Sequence, residues 1–133
     1  MKEFDAYHAC CNANYQWLWR LLPSQYETGD SFLWQLKHGT LSIYVEEKKA
    51  YTDNLVIQQD LFQNLPWLKN FTLYLKRYHD SRSSEVVGFQ NNQGIRCRLT
   101  HVQSIPHKHS HEKWQMNRLL YETLALCFSL RSK

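Results

Sequence analysis

The chain contains few of the residues that interrupt regular structure. Its 133 residues include only 4 glycines and 3 prolines, a composition that excludes a loop-rich scaffold. The longest apolar run covers five positions, 124–128, whereas a membrane-spanning helix needs about 20, so we expect no membrane partner. The opening residues, MKEFD, contain no apolar signal region, and we therefore expect a cytoplasmic protein.

Motifs that carry chemistry are also missing. The four cysteines, at positions 10, 11, 97 and 127, follow neither a disulfide framework nor a paired-cysteine metal spacing. The sequence has no glycine-rich phosphate loop and no nucleophile elbow. We therefore predict no metal and no cofactor, and the lack of a recognisable nucleophile argues against an enzyme.

Charge is moderate in amount but uneven along the chain. The formal net charge is +4; residues 1–66 contain 5 basic and 8 acidic side chains, and residues 67–133 contain 11 basic and 4 acidic ones. A basic half can attract anionic partners, but no run of lysine or arginine exceeds two residues. On this ground we do not expect nucleic acid to be the partner.

The residues that are present predict a small globular protein. Hydrophobic residues make up 43% of the chain, and the length fits one domain, residues 1–133. Helical spacing of apolar residues predicts helices over 5–22 and from His111 to about Arg131. Between them the apolar period is two, which predicts about six strands. The predicted fold class is α+β: an antiparallel meander sheet with the N-terminal and C-terminal helices packed on one face.

The densest polar segment, YHDSRSSE at residues 78–85, joins the fourth and fifth predicted strands. A two-residue loop would pair His79 with Ser84, whereas a three-residue loop pairs His79 with Glu85. Because the second register keeps the apolar side chains of both strands on one face, we predict that His79 and Glu85 are cross-strand neighbours. Such a pair suits a general base or a ligand-gripping site, although a structural hairpin end has the same pattern.

Two asparagines interrupt the apolar stripes of the predicted helices, Asn14 in the first and Asn117 in the second. A buried amide without hydrogen-bond partners costs about 1–3 kcal/mol. We therefore predict that both are buried and bonded, either to each other or to the backbone of a strand edge. The alternative is a polar pocket that they line together with His79 and Glu85.

A histidine-rich segment precedes the second helix, with histidines at positions 101, 107, 109 and 111. Alternating histidines are typical of some metal sites. Here no cysteine or carboxylate stands at ligand spacing, and a loop loses entropy when it is ordered around a metal. We predict no metal site in this segment.

The outward face of the predicted sheet combines aromatic and basic residues. Tyr74, Lys76 and Tyr78 share one strand parity, and Arg96 and Arg98 alternate outward on the sixth strand. Sheets that bind single-stranded RNA present aromatic rings and cations in this way. An ordinary solvated sheet face gives the same pattern.

Several stretches resemble one known family. They are residues 11–15 with 21–23, Glu47 with 51–52, 78–80 with 85–86, and 112–113 with Asn117. On these motifs the chain resembles the domain of unknown function family 1249, the YqiB-like proteins of gammaproteobacteria. It departs from the family pattern at Ser81, at residues 100–104 and at His111.

The resemblance implies no established activity. It does place His79, Asp80, Glu85, Asn14 and Asn117 on the family's motif positions, which implies that they form one connected polar site.

The leading interpretation is a non-catalytic accessory or binding domain that grips a small anionic ligand or a protein segment near the predicted hairpin. The candidate binding residues are Tyr78, His79, Asp80, Glu85, Asn14, Asn117 and Glu112. One alternative is a small hydrolase-like enzyme for a phosphorylated or nucleotide substrate, with His79 as base and Glu85 orienting it. The other is a single-stranded nucleic-acid binder that uses Lys76, Tyr78, Arg96 and Arg98.

Overall fold

The computed structural model of the protein describes the backbone of residues 2–62, 64–91, 93–99 and 107–131. The described side chains are those of residues 6–62, 64–66, 68–91, 93–99 and 112–130. The helices and strands are, in chain order, α1 (Lys2–Leu21), β1 (Ser31–Leu36), β2 (Gly39–Lys48), β3 (Thr52–Gln59), β4 (Phe71–Tyr78), β5 (Ser83–Gln90), β6 (Arg96–Arg98) and α2 (His107–Arg131). A single 3₁₀ turn, Pro66–Leu68, precedes β4.

The six strands form one antiparallel sheet in the order β1-β2-β3-β4-β5-β6. The helices α1 and α2 pack against each other and against β5. The α+β prediction, a meander with both terminal helices on one face, is confirmed. The helices extend further than the apolar stripes predicted, since α1 begins at Lys2 and α2 at His107. Within the described ranges, neither helix has an apolar stretch long enough to cross a membrane.

The core lies between the two helices and one face of the sheet. Alternate residues of each strand point into it, as Leu55 and Ile57 on β3 and Leu73 and Leu75 on β4 illustrate. The helices contribute buried leucines and Cys127 to the same cluster. Odd-numbered residues of β3, of β4 and of β2 as far as Val45 therefore face the helices, and even-numbered residues face away from them.

The predicted register of the β4–β5 hairpin is wrong. Lys76, not His79, lies opposite Glu85, and Tyr78 pairs with Ser83, so that residues 79–82 form the connection. A register shift after Tyr74 inserts one extra residue in β5, as a β-bulge does. The bulge places Val86 in the core, and the longer turn takes His79 out of the ladder. His79 and Glu85 are therefore not cross-strand neighbours.

Candidate functional site

A buried ion pair anchors one end of the inner sheet face. Asp53 on β3 and Arg77 on β4 lie directly opposite each other, and both are buried. Arg77 Nε donates to Asp53 Oδ1 at 2.8 Å, and Arg77 Nη2 donates to Oδ2 at 2.7 Å. The Tyr26 hydroxyl donates to the same Oδ2 at 2.5 Å and accepts a hydrogen bond from Arg77. Two parallel bonds fix the relative orientation of guanidinium and carboxylate.

This arrangement keeps both Asp53 and Arg77 in their charged forms. Burial alone would raise the pKa of Asp53, but the hydrogen bonds and the charge of Arg77 outweigh burial, and Tyr26 and His79 act in the same direction, so the pKa lies below its usual value. Burial likewise opposes the charged form of Arg77, but the hydrogen bonds and charge of Asp53 leave its pKa raised. The pair is therefore fully ionised near neutral pH.

His79 extends this network toward the surface. Its Nε2 lies 3.1 Å from Asp53 Oδ2, and its Nδ1 lies 2.8 Å from the Tyr15 hydroxyl on α1. An ionised Asp53 favours the proton on Nε2, and Nδ1 of a neutral ring then accepts from Tyr15. The His79 side chain is 24% exposed. A hydrogen-bonded chain thus runs from Arg77 in the interior to a partly exposed imidazole.

The imidazole opens on a cleft between α1 and the β4–β5 turn. The cleft has a volume of about 520 Å³ and is lined by Tyr15, Gln16, Trp19, His79 and Arg82. Trp19 is 65% exposed, and its ring stacks on Tyr15 with a centroid separation of 6.4 Å. The cleft therefore joins a broad aromatic surface, an imidazole and a guanidinium.

The backbone at Arg82 adopts a left-handed conformation, with φ 51°. Residues with a Cβ adopt this region rarely and at an energetic cost. Arg82 is exposed, and among the described residues its guanidinium has no ion-pair partner. The strained turn therefore presents a cation at the mouth of the cleft without an internal neutralising group.

A second polar cluster lies where α1 and α2 meet β5. The Tyr7 hydroxyl donates to Glu85 Oε2 at 2.8 Å, and Lys113 Nζ lies 3.3 Å from Glu85 Oε1. All three residues are buried. Burial, followed by the charges of Cys11 and Glu85, raises the pKa of Tyr7 far above its usual value. This hydroxyl therefore acts as a hydrogen-bond donor and not as a titrating group.

Asn117 closes the edge of β5 in this cluster. Among the described residues β6 pairs only with Gly88–Gln90, and within that part of the chain the backbone N–H of Val86 has no strand partner on that side. Asn117 Oδ1 accepts from Val86 N at 2.9 Å, and its Nδ2 donates to the Lys113 carbonyl at 2.9 Å. The side-chain amide thus replaces a neighbouring strand at a sheet edge that α2 covers.

Asn14 ties the first helix to the same point. Its Nδ2 donates to the backbone carbonyl of Asn117 at 3.1 Å. Both asparagines are 0% exposed. The prediction that they are buried and bonded to each other's residues or to a strand edge is confirmed, and neither lines the His79 cleft.

Two neighbouring thiols lie beside these asparagines. Burial raises the pKa of Cys10 to about 11 and that of Cys11 to about 12. Because the thiolate is the nucleophilic form, burial disfavours reaction of both thiols near neutral pH. The Cys10 thiol donates to the backbone carbonyl of Asn117 at 3.4 Å, and the Cys11 thiol donates to Asn117 Oδ1 at 3.9 Å.

The structure does not bring the predicted site residues together in one site. His79 lines the cleft, whereas Glu85, Asn14 and Asn117 belong to the β5-edge cluster.

Of the remaining three candidates, Asp80 and Glu112 lie outside both clusters, whereas Tyr78 borders the β5-edge cluster: burial, followed by the charges of Glu85 and Cys11, raises its pKa. Asp80 is exposed and accepts from the backbone N–H of Ser81 in its own turn. Tyr78 lies under the Lys76 ammonium, with 5.6 Å between Nζ and the ring centroid. Glu112 is exposed on α2, and its neighbour Lys113 occupies the buried position.

Sequence reasoning missed the ion pair at the centre of the first cluster. A signal was present: Asp53 shares strand parity with Leu55 and Ile57, and Arg77 shares it with Leu73 and Leu75. Opposite charges at core-facing positions of adjacent strands predict a buried pair. The meander already pairs β3 with β4, but the register that places Asp53 opposite Arg77 would have been needed to use that signal.

The histidine-rich segment falls outside the residues whose side chains the structure describes. His101 lies outside the described residues, as do the side chains of His107, His109 and His111. Among the side chains that the structure describes, no group of three or more His, Cys, Asp or Glu could hold a metal ion.

Comparison with known proteins identifies relatives but no activity. The family model described as "Protein of unknown function (DUF1249)" matches residues 17–133. The "Uncharacterized protein YqiB" of Escherichia coli strain K12 is 27% identical over 128 residues, which cover 96% of this chain and 89% of the relative. The protein of the same description from Escherichia coli O157:H7 has the same identity and coverage. No solved structure matches the chain.

Proposed function

Because the chain belongs to the DUF1249 family, whose function is unknown, we propose from the geometry that it is a non-catalytic binding domain for a small anionic ligand that carries a planar ring. The ligand would occupy the cleft between α1 and the β4–β5 turn. Its anionic group would meet Arg82 and His79, and its ring would lie on Trp19.

The observation that carries the proposal is that the exposed Trp19 and the exposed Arg82 line one cleft. A large exposed indole is costly to leave in water, and ring stacking on it contributes about 0.5–1.5 kcal/mol beyond burial. A guanidinium offers several donors that match carboxylate or phosphate oxygens. A cleft of about 520 Å³ has the size typical of small-molecule sites.

The buried Asp53–Arg77 pair supports the proposal because it orients His79, which lines the cleft. Asp53 holds the His79 ring at 3.1 Å, and Arg77 holds Asp53 through two bonds. A ring that is already oriented loses little entropy when a ligand binds. The β5-edge cluster lacks such access, because its Glu85 and Lys113 side chains are almost completely buried.

Titration with phenyl phosphate tests this function. We expect saturable binding by isothermal calorimetry, with a dissociation constant of about 1 mM for so small a ligand. Inorganic phosphate and phenol, which each supply one half of the probe, should bind more weakly than phenyl phosphate. Equal binding of inorganic phosphate and phenyl phosphate would contradict the role of Trp19. Release of phosphate from the probe would favour the hydrolase alternative.

Replacement of Arg82 separates binding from stability. Arg82→Gly should weaken phenyl phosphate binding by about 10-fold, since it removes a charge-assisted contact. The same change should raise the free energy of unfolding by up to about 1 kcal/mol, because glycine adopts positive φ without strain. Arg82→Asn, which also tolerates the left-handed region, is the matched variant that retains a Cβ.

Calorimetry and urea denaturation of the same samples give both quantities. Unchanged binding by both variants would remove Arg82 from the proposed site.

A cytoplasmic location is part of this proposal. What supports it is that none of the four cysteines, all of which the structure describes, forms a disulfide, as is typical of proteins in reducing compartments.

A further inference from the structure

The sheet face opposite the helices carries an aligned row of side chains. The strand registers place one residue of each strand in line across the whole sheet: Ser31, Tyr44, Val56, Tyr74, Gly88 and Arg98. The residues of this row on β2, β3 and β4 are even-numbered and so point away from the core. We call these six residues the outer row.

Two tyrosines give the outer row its flat surfaces. Tyr44 is 44% exposed, and Tyr74 lies two strands away, a distance of about 9.6 Å. The Arg96 guanidinium lies 4.0 Å from the centroid of the Tyr74 ring. A Cβ added at Gly88 would lie 3.0 Å from the Cys97 carbonyl and 3.7 Å from the Tyr74 ring, so β6 and the ring approach the backbone closely there.

A basic groove adjoins the Tyr74 ring. It has a volume of about 490 Å³ and is lined by residues of β2 to β6, including Lys76, Arg96 and Arg98. Glu46 is the one carboxylate among the lining residues. Three cations against one anion give the groove a positive charge that the modest net charge of the chain does not reveal.

We propose that this outer face binds single-stranded nucleic acid. Bases would stack on Tyr44 and on the Tyr74–Arg96 pair, while Lys76 and Arg98 would meet phosphates. Aromatic faces suit this ligand because every base has a π-face, and stacking does not require a particular sequence. An acidic peptide would satisfy the cations but would leave the flat rings without planar partners.

The register of the sheet reverses the expectation, drawn from the sequence, that nucleic acid is not a partner. Moderate charge and the absence of a long basic run argued against nucleic acid. In the fold, a sheet face that neither described helix covers gathers three of the cations beside Tyr74, and Tyr44 lies on the same face. This surface lies on the opposite side of the sheet from the core-facing Asp53–Arg77 pair that supports the cleft, so the two proposals can fail independently.

Fluorescence anisotropy with a labelled 12-nucleotide oligouridine tests the proposal. At low salt we expect a dissociation constant of about 10 µM, within the range of non-specific binding. With three phosphate contacts, the logarithm of the affinity should fall with the logarithm of salt concentration at a slope of about −2. No anisotropy change at protein concentrations of about 100 µM would overturn the proposal.

Matched charge variants locate the contact surface. The combined change Lys76→Gln, Arg96→Gln and Arg98→Gln should weaken binding by about 10-fold or more and flatten the salt dependence. The control combines Arg20→Gln, Lys37→Gln and Lys69→Gln, which remove the same charge from exposed positions elsewhere. Equal losses in both variants would mean attraction by net charge alone and would overturn the proposal.

A stacking variant distinguishes bases from other polyanions. Tyr44→Ser should weaken binding by about 5-fold or more with little change of the salt slope. The control is Tyr51→Ser, a more exposed tyrosine outside the outer row. Binding that survives Tyr44→Ser unchanged, or an oligoglutamate peptide that competes as well as the oligouridine, would overturn the nucleic-acid assignment. Circular dichroism of each variant verifies that it is folded.

Discussion

Asp53→Asn is expected to lower the free energy of unfolding by about 3–5 kcal/mol, the range for removing one partner of a buried ion pair. The Arg77 guanidinium would remain buried without its counter-charge, and the carboxylate that accepts from Tyr26 and His79 would be lost. Urea denaturation followed by circular dichroism measures the change. Asp80→Asn is the control, because Asp80 is exposed and bonds within its own turn, and it should change stability by less than about 0.5 kcal/mol.

The pH dependence of the free energy of unfolding provides a second test with the Asp53→Asn variant. The folded protein holds the pKa of Asp53 below its usual value. Its ionisation therefore contributes stability that is complete above the unfolded-state pKa of about 3.9 and is lost as the pH falls through the lower, folded-state pKa. Wild-type stability should decline over this acid range more steeply than that of Asp53→Asn. A loss below about 1 kcal/mol at pH 7, or equal acid profiles, would show that the pair does not support the fold.

Asn117→Ala is expected to cost about 1–3 kcal/mol, because it leaves the Val86 backbone N–H buried without an acceptor. The substitution also removes the donor to the Lys113 carbonyl. Chemical denaturation measures the cost, and Glu112→Ala, at an exposed position of the same helix, is the control. A cost within about 0.5 kcal/mol would mean that Asn117 does not close the strand edge.

Ligand binding by the Asn117 variant carries separate information. Since Asn117 does not line the cleft, the folded variant should bind phenyl phosphate as the wild type does. Loss of binding without a change in stability would instead show that Asn117 belongs to the binding site.

Elements with strong apolar periodicity could be predicted from the sequence. The alternation around Leu41 and Ile43 and the helical stripe through Leu120 and Leu124 each match one buried face. The order of helix, meander and helix follows from these patterns. The β4–β5 register does not, because the bulge that places Val86 in the core depends on how β5 packs under both helices.

The candidate site, like the fold, could be predicted from the sequence only in part. A polar residue in an apolar helix stripe is visible in the sequence, and Asn14 and Asn117 were predicted as buried and bonded on that basis. The cleft is not visible, because Trp19 belongs to α1 and Arg82 to a turn 63 positions later. Only the packing of α1 beside the β4–β5 turn brings them together, and only the strand register brings Asp53 opposite Arg77.

A two-dimensional ¹H–¹⁵N spectrum recorded during titration with phenyl phosphate tests the central claim most directly. The account predicts saturable shifts of the Trp19 indole N–H and of the His79 and Arg82 amides. The Asn117 side-chain amide and the Tyr44 amide should stay in place. Shifts centred on Asn117, or no saturable shift at probe concentrations of about 20 mM, would contradict the assignment of the cleft as the binding site.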